Sequence, residues 1–404
     1  MYMKKALSAL CLALTLCLAA CFKAGGGAEP TAAPKTEPDF DNRFGDGYPN
    51  LIETEDAYYY NFLSRYLYYY DKASGINGVL CSRPECTHDS EEYNTSCSGY
   101  IDPYLRSINM MDGRLWYCSC DYANRCNAIF SIGLDGTDKR VECDIEGYDV
   151  LGYGTPQRLD HHRGKLYGYS IYQRVTEAVP EKGLSILCID PKTGDAQVLY
   201  DLRGSYLWVS FYYYEQYVYC CYYEYHGKAG SDVHILRWDT DTLERETVFE
   251  ESGVDGGQFS IKVVSEEKIM LVPNVLPEGS PQVVFCILNG KLTKAFEFDS
   301  LGIAYAIEGG DLCYDRDREQ MEILKNDGSL VYKGDIGAGF LKELGDGMEI
   351  NSESAVYGDT NEIFIVYSLK DAEETKAARS SCLVRYDLTM EEPEGELLVF
   401  SPWM

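Results

Sequence analysis

The chain has 404 residues and a formal net charge of −29 at neutral pH, because 65 acidic side chains outnumber 36 basic ones. A surface this acidic repels nucleic acid phosphates and anionic lipid headgroups, so the composition argues against both as electrostatic partners. The length is sufficient for two average domains or for one large repetitive β domain.

The N-terminus has the pattern of a secretion signal. Lys4 and Lys5 precede the apolar run ALSALCLALTLCLAA (residues 6–20), which is short for a bilayer span. The phrase LAAC, which ends at Cys21, resembles a bacterial lipobox, in which cleavage leaves the cysteine as an acylated first residue. An ordinary signal peptide or a transmembrane helix is the alternative. We therefore expect residues 1–20 to be a lipoprotein signal peptide.

The residues after the signal indicate a lipid-anchored protein on the extracytoplasmic face of the cell membrane. Two acyl chains, palmitate among them, on Cys21 would form a stable anchor, whereas one chain binds a membrane only marginally. Residues 21–43 are rich in Gly, Ala, Pro, Thr and Glu, which favours a flexible tether. The later apolar runs are short and interrupted by charge. We expect residues 44–404 to form a single folded domain.

A phrase of three strand candidates recurs seven times in this domain, for example AYYYNFLSRYLYYYDKASGINGVLC (residues 57–81) and GRLWYCSCDYANRCNAIFSIGLDGTDKRVEC (residues 113–143). One further strand candidate, such as YLWVSFYYY (residues 206–214), precedes the phrase, so each unit has four strands. Alternation with period two is widespread, and no stretch after the signal keeps helical periodicity for three turns. The pattern predicts an all-β fold, a β-propeller of seven blades with four antiparallel strands each, with six or eight blades as alternatives.

Turn residues close the second hairpin of every unit: Asp71 with Gly75, Asp135-Gly136, Asp190 with Gly194, Asp239 with Asp241, Asn289-Gly290, Asp327-Gly328, and Asp387. Several of these pairs favour turns whose twist matches that of paired strands. We also expect PNLIET (residues 49–54) to supply the innermost strand of the first blade, and ELLVFS (residues 396–401) to be the final strand of the domain.

The phrase AIFSIGLDGTDKR (residues 128–140) resembles the repeat of YWTD-type propellers of the LDL-receptor class, in which L-D-G-T-x-x-R closes a blade. The whole chain is similar to bacterial lipoproteins of the Firmicutes that carry such propeller domains. The resemblance implies a fold and a location, and it implies no activity. One unit carries the full phrase, and the expected blade number differs from the usual six.

Catalytic motifs are absent from the sequence: it contains no G-x-x-x-x-G-K-[ST], no H-E-x-x-H and no G-x-S-x-G. His161 and His162, in RLDHHRGK, are predicted to be surface turn residues. The sequence therefore favours a binding or scaffold module for a peptide, a glycan or an envelope protein. The alternative is an envelope glycan hydrolase or lyase with its acids gathered at the propeller funnel.

Aromatic side chains are concentrated in FYYYEQYVYCCYYEYHG (residues 211–227), and Trp116, Trp208 and Trp238 also lie in predicted strands. Exposed aromatic rings at a propeller mouth could stack on sugars or on peptide side chains. The β-propensity of tyrosine alone explains the run equally well, with alternate members packed between blades. We favour packing and keep a binding surface as the alternative.

Cys81, Cys86, His88 and Cys97 follow the first unit with the spacing C-x4-C-x-H-x8-C. These residue types match a closed Cys3His zinc site, whereas an oxidising exterior favours a disulfide between Cys86 and Cys97. Free thiols are a third alternative. The spacing permits all three, and we slightly favour the disulfide because the exterior is oxidising. Thirteen cysteines follow Cys21, an odd number, so complete pairing within one chain is impossible. In either ordered form the loop is stapled, which indicates a structural role.

Six further cysteines lie inside apolar strands and are predicted to be small core residues: Cys188, Cys220, Cys221, Cys286, Cys313 and Cys382.

Overall fold

Four-stranded antiparallel sheets follow one another along the chain in the computed structural model, each built from four consecutive strands. The structure describes residues 40–45, 51–61, 65–88, 94, 96–101, 107–121, 126–149, 156–176, 179–203, 207–274, 281–300, 302–316, 318–335, 337–345, 347–371 and 380–401. These described residues belong to one compact unit, Glu37–Met404.

The first four blades contain strands β1 to β16: β1 (Leu51–Glu53), β2 (Ala57–Tyr60), β3 (Tyr68–Asp71) and β4 (Asn77–Val79); β5 (Ile108–Met111), β6 (Arg114–Asp121), β7 (Cys126–Gly133) and β8 (Arg140–Asp149); β9 (Pro156–His162), β10 (Lys165–Thr176), β11 (Val179–Ile189) and β12 (Ala196–Arg203); β13 (Leu207–Tyr214), β14 (Tyr217–Tyr225), β15 (Ser231–Asp239) and β16 (Arg245–Val254).

The last three blades contain strands β17 to β28: β17 (Phe259–Ser265), β18 (Lys268–Pro273), β19 (Val283–Leu288) and β20 (Lys291–Glu297); β21 (Ile303–Ile307), β22 (Gly310–Asp315), β23 (Gln320–Lys325) and β24 (Leu330–Asp335); β25 (Met348–Gly358), β26 (Glu362–Asp371), β27 (Ser380–Asp387) and β28 (Glu396–Ser401). The described helical segments are α1 (Leu341–Leu344) and 3-10 turns at Asn42–Phe44, Gly227–Ala229 and Ala338–Phe340.

The prediction of seven four-stranded blades is confirmed. The first strands of most successive blades contact one another, which places the first strands around the central channel. In an antiparallel blade, the turns after the first and third strands lie at one end of this channel. The turns after the second strand, and the connections between blades, lie at the other end. We call these the hairpin end and the connection end.

The ring closes between the first and the seventh blades. Among the described residues, each of these blades is built from its own four consecutive strands, and neither contains a strand from the other end of the chain. Within PNLIET, Leu51–Glu53 form the innermost strand β1, as predicted, and ELLVFS forms β28. The Tyr68 and Ser401 hydroxyls lie 3.2 Å apart across the seam, and the Tyr58 ring meets Phe364 edge to face at 5.2 Å. Side-chain packing therefore holds the ring closed.

The core is divided into hydrophobic clusters that lie between neighbouring blades, and the described residues provide one for each of the seven interfaces. Each sheet thus buries both of its faces, which explains why the strands are rich in aromatic and β-branched residues. All six cysteines predicted to be core residues are buried, in agreement with the sequence. The tyrosine run mainly packs between blades, since Tyr212, Tyr213, Tyr219, Tyr222 and Tyr223 are buried.

Aspartate turns close the second hairpin in six blades, as predicted. The Asp387 carboxylate accepts hydrogen bonds from the amide and the hydroxyl of Thr389, at 3.0 and 2.6 Å. The fifth blade instead uses Asn289 and Gly290, both at positive φ (51° and 72°). These two left-handed residues match the turn type whose twist suits paired strands.

The prediction for His161 and His162 is wrong, because both side chains are buried at the end of β9. This strand is the innermost of its blade, so a polar segment is enclosed there by neighbouring blades. The His162 ring lies 5.1 Å from the Tyr213 ring, and its Nε2 lies 3.0 Å from the carbonyl oxygen of Glu215.

The described helices are all too short to cross a bilayer. Cys21, the predicted signal peptide and residues 21–39 of the predicted tether lie outside the described residues, so those assignments stay predictions. Residues 40–43, the end of the predicted tether, are described and lie against the propeller.

Candidate functional site

The cysteine-histidine cluster comes together in the structure. One possible ligand atom from each of Cys81, Cys86, His88 and Cys97 lies within 4.8 Å of the others. The three cysteines are free thiols, and Cys97 is buried while the other cluster members are half-buried. The structure thus brings together all four residues that the sequence singled out, and the preference for a disulfide between Cys86 and Cys97 stays a prediction.

The pKa values of two thiols in the cluster, Cys81 and Cys97, are shifted in opposite directions. Burial acts to raise the pKa of Cys81, but the interaction with the neighbouring His88 ring and hydrogen bonds from the loop backbone outweigh it and lower this pKa to about 6. Burial and the neighbouring Cys81 sulfur raise the pKa of Cys97 to about 12. One thiolate thus forms readily beside a thiol that keeps its proton.

Residues that the sequence analysis missed surround the cluster. The Asn94 amide donates to Cys86 Sγ at 3.6 Å, and the Tyr66 ring meets the His88 ring edge to face at 6.0 Å. Tyr66 also pairs with Tyr100 in an isolated antiparallel bridge. No sequence periodicity predicts these partners, because they lie in irregular segments and their contacts depend on how the loop folds.

The segment Phe40–Gly45 crosses the hairpin end of the central channel. The Phe40 ring lies 4.7 Å from Tyr213 in the fourth blade, while Phe44 packs on Tyr357 of the seventh blade at 6.3 Å. Arg43 forms an ion pair of 3.0 Å with Glu53 in the first blade. Because the fourth blade faces the first and seventh across the ring, the segment spans the channel.

A cavity of about 190 Å³ remains beside this segment. Its lining is mostly apolar and comes from the segment and the innermost strands of the first three blades: Phe40, Asp41, Phe44, Leu51, Ile52, Glu53, Ile108, Asn109, Met110 and His161. The volume falls below the range of about 300–1,000 Å³ that is typical of small-molecule sites. This cavity is therefore small for a typical small-molecule ligand.

Two exposed aromatic side chains mark the connection end of the fourth blade. Trp208 is 51 % exposed and Tyr225 is 46 % exposed, whereas Trp116 and Trp238 are buried. Trp208 lies opposite Tyr223 in the register of β13 and β14, so Tyr225 is its diagonal neighbour on the same sheet face. Such neighbours lie about 7–8 Å apart, close enough for one ligand to touch both rings.

Polar groups lie at the same end of this blade. His226 Nε2 is 3.1 Å from Asp232 Oδ2, and both side chains are partly exposed. A hydrogen bond from the Ser252 hydroxyl, followed by one from His226, lowers the pKa of Asp232. The carboxylate is therefore ionised at neutral pH and can accept hydrogen bonds from a ligand.

Buried carboxylates elsewhere are engaged in structural contacts. Asp160 forms a 2.6 Å ion pair with Arg158 and accepts a hydrogen bond from the Tyr213 hydroxyl. Asp311 Oδ1 lies 2.5 Å from Lys262 Nζ. The buried Glu322 and Glu353, and the half-buried Glu308, likewise accept hydrogen bonds from hydroxyl groups. A glycosidase needs one carboxyl group to donate a proton and another to act on the opposite face of the sugar, and these five acids are committed to packing contacts.

The fold and these sites define a seven-bladed β-propeller with a segment across one end and an aromatic pair at the other. The chain matches no family model and no curated protein sequence. Among solved structures it is similar to a hypothetical selenium-binding protein from Sulfolobus tokodaii, with 11 % identity, a TM-score of 0.51, and coverage of 90 % of this chain and 94 % of that chain. At this identity the likeness shows the fold alone.

Two further solved structures are similar at lower scores. The propeller domain of the Trilobed protease from Pyrococcus furiosus, described as having an open velcro topology, has 10 % identity and a TM-score of 0.47, with coverage of 88 % of this chain and 97 % of that chain. A chain of a nidogen/laminin complex has 8 % identity and a TM-score of 0.37, with coverage of 67 % of this chain and 90 % of that chain.

Proposed function

We propose that the protein is a lipid-anchored binding module on the extracytoplasmic face of the cell membrane, and that the connection end of its propeller binds a neutral glycan. The exposed pair of Trp208 and Tyr225 carries this proposal. Flat apolar rings on one sheet face suit the CH-rich faces of sugar rings, and the nearby His226 and Asp232 can hydrogen-bond to hydroxyl groups.

The position of the N-terminal segment indicates which end of the propeller faces the membrane. Phe40 follows the proposed lipid-bearing Cys21 by nineteen residues. A flexible tether of that length has an end-to-end distance of about 24 Å. Since Phe40–Gly45 docks at the hairpin end, the tether would hold that end toward the membrane. The connection end, with Trp208 and Tyr225, would then point away from the lipid surface and toward envelope or external ligands.

The charge of the protein favours uncharged glycans over anionic ones as ligands. With a net charge of −29, the protein repels polyanions such as uronic acid polymers and teichoic acids. Uncharged sugars pay no such electrostatic penalty. Binding to a peptide or an envelope protein, and hydrolysis or lysis of a glycan, are the competing functions that the experiment must separate.

The test is equilibrium binding of the full-length chain, purified in detergent, to N-acetylchito-oligosaccharides and cello-oligosaccharides. Trp208→Ala should weaken binding about tenfold, which corresponds to about 1.4 kcal/mol. Leu330→Ala is the matched control, because Leu330 is 59 % exposed on the sixth blade, away from the aromatic pair. It should leave binding unchanged.

Three results would contradict the proposal. Binding to neither series of oligosaccharides is the first, and equal binding by the Trp208→Ala variant is the second. Mass spectrometry of the recovered oligosaccharides detects the third, since shortened or unsaturated products would instead indicate the hydrolase or lyase activity.

A further inference from the structure

We propose that Cys81, Cys86, His88 and Cys97 bind one zinc ion, and that this ion fastens the connection between the first and second blades to the outer edge of the first blade. The site is independent of the proposed glycan-binding surface, which belongs to the fourth blade.

The ligand geometry is close to that of a closed tetrahedral site. With Zn–S bonds of about 2.3 Å, neighbouring sulfur atoms in a tetrahedron lie ~3.8 Å apart. The four ligand atoms already lie within 4.8 Å of one another, so closure onto an ion needs movements of an ångström or less. Thiolate and imidazole ligands in this number select zinc over the hard cations calcium and magnesium.

His88 provides an independent sign of a missing ligand. Its Nε2 is buried and has no hydrogen-bond partner among the described residues. A buried polar atom of this kind normally has a partner, because desolvation without one costs free energy. His88 also has a φ of +56°, a left-handed conformation that is costly for a side chain with a Cβ. A bond from the ring to zinc would account for both features.

The surroundings fit the charge of such a site. Three thiolates and a neutral imidazole around Zn²⁺ carry one net negative charge. The Lys139 ammonium donates a hydrogen bond to the carbonyl oxygen of Tyr100, which packs with Cys97. The Asn94 amide donates to Cys86 Sγ at 3.6 Å. Outer partners of this kind orient metal ligands and stabilise their charge.

A disulfide explains less of this arrangement. A bond between Cys86 and Cys97 would leave Cys81 as a free thiol beside His88, whose Nε2 would still be buried without a partner. A four-ligand site uses every member of the cluster. It also leaves no open coordination position, which makes it a structural site and not a catalytic one.

A metal cross-link should stabilise the first blade more than other blades, because its strands are short. Its outer strand β4 has three residues, and its inner strand β1 also has three. In the loop that follows β4, Cys97 and Tyr100 pack with Tyr66, which lies in the connection between β2 and β3, in a small hydrophobic cluster. This blade also forms one side of the ring-closure seam. Metal binding free energy becomes folding free energy, so zinc would compensate for the short strands.

The experiment measures zinc in the full-length chain, purified in detergent without chelators, by native mass spectrometry and elemental analysis. We expect about one zinc per chain, lost on denaturation with all three cluster thiols reduced. Cys86→Ser and His88→Ala should lose most of the bound zinc. Cys143→Ser is the matched control, since Cys143 is also a half-buried free thiol but lies outside the cluster, and it should keep the metal.

If a variant fails to fold, substitution of cobalt(II) in the wild-type protein still tests the proposal. The wild-type chain reconstituted with Co²⁺ should show thiolate-to-metal charge-transfer absorption and the d–d bands of a tetrahedral ion. Wild-type protein without metal would overturn the proposal, whether its mass is lower by two hydrogens mapped to Cys86 and Cys97 or its cluster thiols all alkylate freely. Zinc retained by both Cys86→Ser and His88→Ala would also overturn it.

Discussion

Asn42 and Tyr213 exchange two hydrogen bonds across 171 residues of sequence. Asn42 Nδ2 donates to the carbonyl oxygen of Tyr213 at 2.6 Å, and Asn42 Oδ1 accepts from the Tyr213 amide at 3.1 Å. The asparagine side chain thus pairs with the innermost strand of the fourth blade as a neighbouring strand would. This contact fixes the N-terminal segment across the hairpin end of the channel.

Asn42→Ala should lower the free energy of unfolding by about 1–3 kcal/mol, since two hydrogen bonds are lost and the backbone groups of Tyr213 are left partly unsatisfied. Urea denaturation monitored by circular dichroism measures this change. Asn361→Ala, at an exposed site in the seventh blade, is the control and should change stability by less than about 0.5 kcal/mol. Equal effects of the two substitutions would contradict an anchoring role for Asn42.

Asp311→Ala should destabilise the protein by about 3–5 kcal/mol, because it leaves the buried Lys262 ammonium without its counterion. The double variant Lys262→Met, Asp311→Leu should recover most of this loss, since no uncompensated charge remains. Glu349→Ala provides the comparison: Glu349 pairs with Lys370 at 3.2 Å on the surface, where an ion pair contributes about 0–1 kcal/mol. Denaturant titration of the four proteins tests the prediction.

Acid should destabilise the propeller through its aspartate turns. The pKa values of Asp71, Asp135, Asp327 and Asp387 are lowered first by the hydroxyl of the following Ser or Thr, and that of Asp239 by the Thr242 amide. Lowered pKa values in the folded state mean that this stabilisation is complete above the unfolded pKa of about 3.9. It is lost as the pH falls below that value toward the folded pKa values.

Denaturation midpoints measured between pH 7 and pH 2.5 check this prediction. Asp387→Asn keeps a hydrogen-bond acceptor in one turn but removes its titration, so the pH dependence of that variant should be slightly weaker than that of the wild type. Midpoints that stay constant below pH 4, or that rise there, would contradict the assignment of the turns as the acid-sensitive elements.

Core cysteines should be unreactive in the native protein. Burial raises the pKa of Cys313 to about 12 and, against a backbone hydrogen bond, that of Cys382 to about 12 as well. Since the thiolate is the nucleophile, iodoacetamide at pH 8 should leave both unmodified until the protein is denatured. Peptide mapping after alkylation gives the result. Rapid native modification of Cys313 or Cys382 would mean that the blade interfaces open readily.

The fold could be predicted from the sequence because its signals are local. Alternation of apolar residues and the turn at Asn289-Gly290 or Asp387 depend on neighbours in the chain, and each blade is built from consecutive strands. The buried positions of His161 and His162 could not be predicted in this way. Their polar segment is enclosed by neighbouring blades, and hydropathy contains no information about contacts with residues such as Tyr213 and Glu215.

The same distinction between local and long-range signals applies to the candidate sites. The spacing of Cys81, Cys86, His88 and Cys97 identified every member of the cluster, because all four lie within one loop. The sequence named Trp208 and the tyrosine run, but it could not separate exposed rings from packed ones. That distinction depends on the strand register, which places Tyr225 diagonal to Trp208 at an open end of the blade.

The most direct test of the proposed binding surface is a fluorescence titration of the full-length chain with N-acetylchito-oligosaccharides and cello-oligosaccharides. Of the three tryptophans that the structure describes, Trp208 is exposed, whereas Trp116 and Trp238 are buried. A bound sugar should therefore shift the tryptophan emission to shorter wavelength in a saturable manner, and the shift should be absent from Trp208→Phe. An emission spectrum unchanged by either series, or an equal shift in Trp208→Phe, would contradict glycan binding at this end of the propeller.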